Sequence, residues 1–192
     1  MIQPQTRSKG RRTLLLLALV ALAPIAASYV TYYWFVPDKR VNYGELLTPG
    51  PAPSVAATRL AGTPFALSDL RGQWVMLIVT DADCADACRR ALHATRQART
   101  MQGREQDRVV RAWLRPAGAA GPSSELLESQ RGLVIGTAAQ VDLARLPLNP
   151  AGAPTILLLD PHGNLVLRYG ADLDIKRLAA DLGRLLRASQ IG

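Results

Sequence analysis

The chain has 192 residues, a net charge of +8 and only two cysteines. The positive charge is almost all arginine, dense at Arg89, Arg90, Arg96, Arg99 and Arg104, and no aromatic residues interleave that stretch as a nucleic-acid platform requires, which sets nucleic acid aside. Once the apolar N-terminus is subtracted, the remaining length suits one compact domain with a single core.

Arg7, Lys9, Arg11 and Arg12 precede an apolar run that opens with Leu14-Leu-Leu-Leu-Ala-Leu-Val20 and continues, with Pro24 inside it, to Val36. That is about the 20 apolar residues a membrane-spanning helix requires. Tyr29, Tyr32, Tyr33 and Trp34 gather at its far end, as an interfacial aromatic belt does. The basic residues hold the N-terminus in the cytoplasm, which places everything after Pro37 on the outer side. A signal peptide cut near Ala26-Ala27-Ser28 is the rival reading. The apolar run continues past that cut, which favours an uncleaved anchor in the inner membrane. The chain then divides into a basic cytoplasmic tail (1–13), a transmembrane anchor (14–36), a linker containing Pro49, Pro51 and Pro53 (37–58), and a periplasmic domain (59–190). An extracytoplasmic location permits disulfides.

Within the domain, Phe65 to Gly72 reads as a short strand and turn, and Trp74 to Val79 as a buried strand. The two cysteines follow directly, as Cys84-Ala-Asp-Ala-Cys88, at the opening of a helix predicted from about Ala85 to Met101. Unpaired N–H groups and the dipole at a helix start favour a thiolate. Four residues apart on a helix, the side chains share one face with Cβ atoms roughly 5–6 Å apart. A disulfide wants about 3.5–4.5 Å, so closure requires adjustment. The spacing suits a strained, reducible disulfide or a Cu(I) ion between two thiolates. Two unreactive core cysteines are the plainer alternative. Of the pair, Cys84 is expected to attack and Cys88 to resolve, because Cys84 lies nearer the helix start. Arg89 and Arg90 beside Cys88 read as a solvated face or as a means to lower the thiol pKa or to meet an acidic partner. Asp81, Asp83 and Asp86 work against a very low thiol pKa. Asp83 reads best as the helix cap.

Arg108 to Leu114 is the next predicted strand, Pro116 to Ser124 a loop, and Ser124 to Glu128 a short helix with a serine cap. Ala139 to Leu146 reads as a further helix. Thr155–Leu159 and Leu165–Tyr169 form a hairpin across the turn Asp160-Pro-His-Gly-Asn164. Asp172 to Ala188 carries Ile175, Leu178, Ala179, Leu182, Leu185 and Leu186 at helical spacing. The order of elements is α/β.

Strand, cysteine-bearing helix, strand, then Ala153-Pro154-Thr155 before a hairpin and terminal helix resembles the thioredoxin fold. The resemblance implies a cis Pro154 beside the cysteines. Within that superfamily, Cys84-x-Asp-x-Cys88, Leu159-Asp-Pro-His-Gly163 and Tyr169-Gly170 resemble the Sco/SenC group, over most of residues 60–188 and the single anchor. The implied role is delivery of copper to, or reduction of cysteines of, the dinuclear copper site of cytochrome c oxidase. The partners would be the membrane and an oxidase subunit or other assembly factors. Cys84 and Cys88 would be the Cu(I) ligands and, with Pro154, the reactive set.

One departure matters. The group's third ligand, a histidine, would fall near Gly152, where none is present. His93 lies about 140° and 180° around the helix from the two cysteines. His162 sits in the hairpin turn, roughly 17–20 Å from Pro154. Met76 and Met101 read as core and helix-face residues, and Trp74 as core. Two thiolates remain as a Cu(I) site, without the donors Cu(II) prefers. Three functions stay open: a copper-handling or thiol–disulfide assembly factor, a general extracytoplasmic thiol reductase, and a non-catalytic module that positions partners.

Overall fold

The computed structural model describes residues 7–34, 42–80, 83–149, 153–170 and 173–189. It contains two units, Met1–Val41 and Asn42–Gly192. The first is the helix α1 (Arg7–Trp34), with Pro24 inside it. Gly10–Trp34, 25 residues, is long and apolar enough to cross a membrane. At 1.5 Å per residue it reaches about 37 Å, against a hydrocarbon core of about 30 Å. Its leucines are exposed within the unit, as a surface meant for lipid must be.

The second unit is a single eight-stranded sheet. Its strands are β1 (Glu45–Pro51), β2 (Ala56–Arg59), β3 (Pro64–Ala66), β4 (Trp74–Val79), β5 (Val109–Pro116), β6 (Leu133–Ala138), β7 (Thr155–Leu159) and β8 (Asn164–Tyr169). Their order is β1-β8-β7-β4-β5-β6-β2-β3. β4, β5 and β6 are parallel to one another, and the other pairings are antiparallel. β4 is buried along its whole length, in keeping with its unbroken apolar sequence.

Helices α2 (Asp86–Thr100) and α5 (Ile175–Ala188) cover one face, where Trp74, Met76, Ile78, Trp113, Ile156 and Leu158 meet Leu92, Leu178 and Leu182. The other face is sealed by a 3-10 turn (Leu67–Leu70) and the short helix α4 (Gln140–Leu143) over Val75, Leu77, Val79, Leu114 and Leu157. Each fully buried aliphatic side chain contributes about 1.5–3 kcal/mol. Helix α3 (Ser124–Ser129) has no fully buried residue and packs only Leu126 against the core under α2 and α5. Its cap is Ser123, whose hydroxyl accepts from the Leu126 N–H at 3.2 Å, one residue earlier than the sequence pattern indicated.

The segment read as a linker, 37–58, contains β1 and all but the last residue of β2 over its described part. The prolines misled because β1 is an edge strand, and proline is tolerated where no ladder N–H is needed on the outer side. The folded unit therefore begins near Asn42. β6 was also missed. Its Gly136 weakens the apolar signal, yet an added Cβ there would meet Leu114 at 3.0 Å and Phe65 at 3.2 Å. The helix expected over Ala139–Leu146 is confined to Gln140–Leu143, and the terminal helix starts at Ile175, where the Asp174 carboxylate accepts from Lys176 and Arg177 N–H.

The hairpin turn is held by Asp160, whose carboxylate accepts from the backbone N–H of His162 at 2.9 Å and of Asn164 at 2.8 Å. Gly163 closes the turn at φ +86°, a conformation that other residues rarely adopt.

Candidate functional site: the Cys84–Cys88 disulfide

Cys84 and Cys88 are joined as a disulfide, with Cα atoms 5.1 Å apart. The helix does not begin at Ala85 as expected. Ala85 is its N-cap, in extended conformation, and Asp86 is the first helical residue. Cys84 therefore precedes the helix, and only Cys88 rides on it. An extended residue between them turns Cys84 back over the first turn, and the Cα separation falls inside the ordinary disulfide range of about 4.4–6.8 Å. The expected misfit of two cysteines on one helical face disappears.

Burial separates the two sulfurs. Cys88 is 3% exposed within the α2/α5 core, whereas Cys84 is only partly buried against it. Cys84 is therefore the more exposed residue of the two. Ala85 offers no side-chain cap to the first-turn N–H groups of α2, and the positive end of the helix adjoins Cys84 in the chain. Arg89 is engaged elsewhere, in an exposed ion pair with Asp86 at 3.2 Å, and Arg90 faces solvent.

Asp83 is not the helix cap. Its carboxylate accepts from the Ala120 N–H at 2.6 Å, across the loop that follows β5. Ala120's carbonyl in turn accepts from the Arg115 guanidinium. Arg115 is buried at the end of β5, with its guanidinium 5.1 Å from the Trp113 ring centre. Burial lowers its pKa, and the charge of Asp83 opposes that shift. Trp113 donates its indole N–H to the Thr80 hydroxyl at 3.1 Å. Arg111, on the same side of β5, donates to the Leu92 carbonyl at 3.0 Å, the Thr95 hydroxyl at 3.3 Å and the Gln130 amide oxygen at 2.5 Å. Burial, then the charges of Arg96 and Arg99, push its pKa down to about 10. None of these partners was anticipated from the sequence. Their signal was arginine at 111 and 115 around Trp113, at period two, in a strand too buried to leave either side chain unpaired.

Pro154 is buried at the start of β7, one residue beyond the Val79–Thr155 pairing and so beside the end of β4 that leads to Cys84. It is not cis: no peptide bond among the described residues is. Trans is the lower state for X–Pro by about 0.5–1 kcal/mol, and here the entry into β7 is made in that form. Asn149 braces this entry, donating its N–H to the Thr155 hydroxyl at 2.8 Å and its amide to the Tyr169 carbonyl at 3.0 Å.

His93 is exposed on α2, and His162 is exposed in the hairpin turn at the far end of β7 from Pro154. Met76 is core and Met101 is exposed. Gly152 and Asp81 lie outside the described residues. Among the described residues the donor set of the site is thus two sulfurs. As a disulfide they offer no thiolate, and reduction would supply two soft ligands that fit Cu(I) and lack the nitrogen and oxygen donors of a tetragonal Cu(II) site.

A buried carboxylate lies on the other cysteine-side helix. Asp181 of α5 accepts from the N–H groups of Tyr43 at 3.1 Å and Gly44 at 2.9 Å, from the Tyr169 hydroxyl at 3.2 Å, and from Arg184. Gly44 is required there, since a Cβ would fall 2.6 Å from the Tyr169 ring.

Comparison with known proteins agrees with this architecture. Residues 74–189 match the family model described as transmembrane-like, thioredoxin-like, C-terminal domain, and residues 4–35 match that of the transmembrane-like N-terminal domain. Curated proteins gave no match. Among solved structures, Arabidopsis thaliana ScoI with copper bound is similar over 73% of this chain and 100% of its own, at 16% identity and TM-score 0.60. Yeast Sco1 with copper bound covers 74% of this chain and 96% of its own, at 15% identity and TM-score 0.61. A thiol:disulfide interchange protein, DsbE, from Chlorobium tepidum covers 76% and 100%, at 20% identity and TM-score 0.56. At these identities the likeness establishes the thioredoxin-like fold. With more than half of its length matched, the chain belongs to the family of transmembrane-like, thioredoxin-like proteins.

Proposed function

We propose that this is a membrane-anchored periplasmic protein whose Cys84–Cys88 couple performs thiol–disulfide exchange and, when reduced, carries Cu(I) in assembly of the dinuclear copper site of cytochrome c oxidase. The observation that carries this reading is a disulfide at a strand–helix junction that joins a partly buried residue, Cys84, to a fully buried one, Cys88. In the exchange, the Cys84 thiolate attacks a client disulfide and one client sulfur leaves as thiolate. Cys88 then attacks Cys84 and releases the second client sulfur. The client gains two electrons and two protons, and the chain ends with its own disulfide, to be reset by an extracytoplasmic dithiol. Pro154, at the end of the β4–β7 pairing that leads to Cys84, would line the client's approach. Copper is cargo here: Cys84 and Cys88 would hold it, and it supplies no chemistry to the exchange. The structural likeness to copper-bound Sco proteins supports the copper role.

The exposure of both histidines away from the cysteines favours a second reading, a thiol reductase without copper. The full chain, purified in detergent without air and titrated with Cu(I) against a chelator, separates the two. One Cu(I) per reduced chain is expected, none when oxidised and none in the Cys84→Ser/Cys88→Ser variant. Absence of copper from the reduced chain, with exchange intact, selects the reductase. Oxidase lacking its dinuclear copper in cells without the protein would support the assembly role, and copper-replete oxidase would refute it.

A further inference from the structure

We infer that Asp83 is a positioning residue for Cys84, and that it acts by clamping the loop 117–123 rather than through its charge. The site holds a closed circuit of contacts. Thr80, at the end of β4, receives the Trp113 indole N–H at 3.1 Å, and its own N–H donates to the Leu114 carbonyl at 3.2 Å. Trp113 lies under the Arg115 guanidinium. Arg115 grips the Ala120 carbonyl, and the N–H of that same residue donates to Asp83 at 2.6 Å. Ala120 is therefore held on both sides. The segment bearing Cys84 is tied to β5 directly at Thr80 before it, and through Ala120 and Arg115 at Asp83 immediately adjoining it.

The helix cannot do this alone, because Cys84 lies outside it and the extended Ala85 gives no side-chain cap. A cysteine on a free segment forms a disulfide with low effective concentration, whereas one held near its partner forms it readily. Arg115 is the fixed end of the device: it is 3% exposed, it has no carboxylate within ion-pair distance among the described residues, and its Nε has no partner. The Ala120 carbonyl is what it can lean on. The loop it holds, Ala117-Gly-Ala-Ala-Gly-Pro-Ser123, has small side chains that supply little packing of their own.

The test compares two variants that remove the same charge. Asp83→Asn keeps an oxygen to accept from the Ala120 N–H, and Asp83→Ala keeps nothing. In the full chain in detergent, the equilibrium constant for oxidation of Cys84 and Cys88 by glutathione disulfide is measured at pH 7. The asparagine variant should exceed the alanine variant about fivefold, a difference of about 20 mV for a two-electron couple. Hydrogen exchange across residues 117–123 should be faster in Asp83→Ala than in Asp83→Asn. Equal constants in the two variants overturn the clamp, and so does unchanged exchange in the loop. The inference rests on Cys84–Cys88 being a reversible couple. A disulfide that glutathione cannot reduce in the unaltered chain would refute that reading instead, so the two failures are distinguishable.

Discussion

The face of the sheet under α4 is closed by Val75, Leu77, Val79, Leu114 and Leu157 with one buried polar side chain among the described residues, Thr155 at the start of β7. The face under α2 and α5 contains Thr80, Thr95, Arg111, Arg115, Gln130 and Asp181 among its buried groups. Apolar contact is non-directional and tolerates small sliding, whereas a buried charge cannot shift without leaving a donor or acceptor unpaired. Each polar cluster ends on a segment that must be located. Arg111 fixes the middle of α2, the helix that carries Cys88. Trp113 and Arg115 hold the flanks of Cys84. Asp181 fixes Tyr43 and Gly44, at the beginning of the folded unit. The helical face thus specifies position, and the opposite face mainly supplies stability.

The largest effect expected is that of Asp181→Ala. It strips the acceptor from two backbone N–H groups and a tyrosine and leaves Arg184 without its carboxylate. Removing one member of such a buried set costs about 3–5 kcal/mol. Urea unfolding of the full chain in detergent, followed by tryptophan fluorescence, measures it. A loss under about 1 kcal/mol would show that the cluster does not locate the segment. On the opposite face, Leu157→Ala should cost about 3 kcal/mol as a core truncation, and should leave the rate of Cys84 alkylation in the reduced protein unchanged. An altered rate would break the division of labour between the faces.

Arg111→Met is expected to cost about 1–3 kcal/mol, chiefly from the Gln130 oxygen left unpaired. Unlike Leu157→Ala, it should also raise the alkylation rate of Cys88, because α2 loses its tie to β5. With its pKa at about 10, Arg111 is charged at neutral pH in folded and unfolded chains alike. Its contribution should therefore be flat from pH 6 to 8.

How much of this was legible follows from what sequence patterns report. β4, α2, β5, the hairpin and α5 have long apolar runs or clear periodicity, and each was found within a few residues. The cysteine pair was found because two cysteines at a strand–helix junction are a local signal. β1 and β6 were missed because edge strands and glycine-bearing strands lack that pattern. Asp83 was misassigned because capping residues and loop clamps have the same local sequence, and only tertiary structure puts Ala120, 37 residues away, against its carboxylate. Asp181 gave no signal either: on a helix it resembles any surface aspartate until Tyr43 and Gly44 are folded over it.

The smallest effect concerns Tyr169, whose hydroxyl donates to Asp181 at 3.2 Å. Burial, then the charge of Asp181 and this hydrogen bond, hold its pKa above the ordinary tyrosine value. An unfolded tyrosine loses its proton near pH 10. The folded chain keeps the proton longer, so the stabilisation is fully present below pH 10 and is lost as pH rises beyond it. Tyr169→Phe should cost about 1 kcal/mol at pH 7, the worth of one hydrogen bond. Above pH 10 the unaltered chain should lose about 1.4 kcal/mol per pH unit relative to the phenylalanine variant, so the two stabilities should cross near pH 11. The shift at Arg111 has the opposite sign, since its folded pKa is depressed, but it is common to both proteins and cancels in the difference. Stability curves that stayed parallel from pH 7 to 11 would show that the tyrosine titrates as freely in the fold as outside it. The Asp181 cluster would then be open to water, and the contrast between the two faces of the sheet would lose its strongest example.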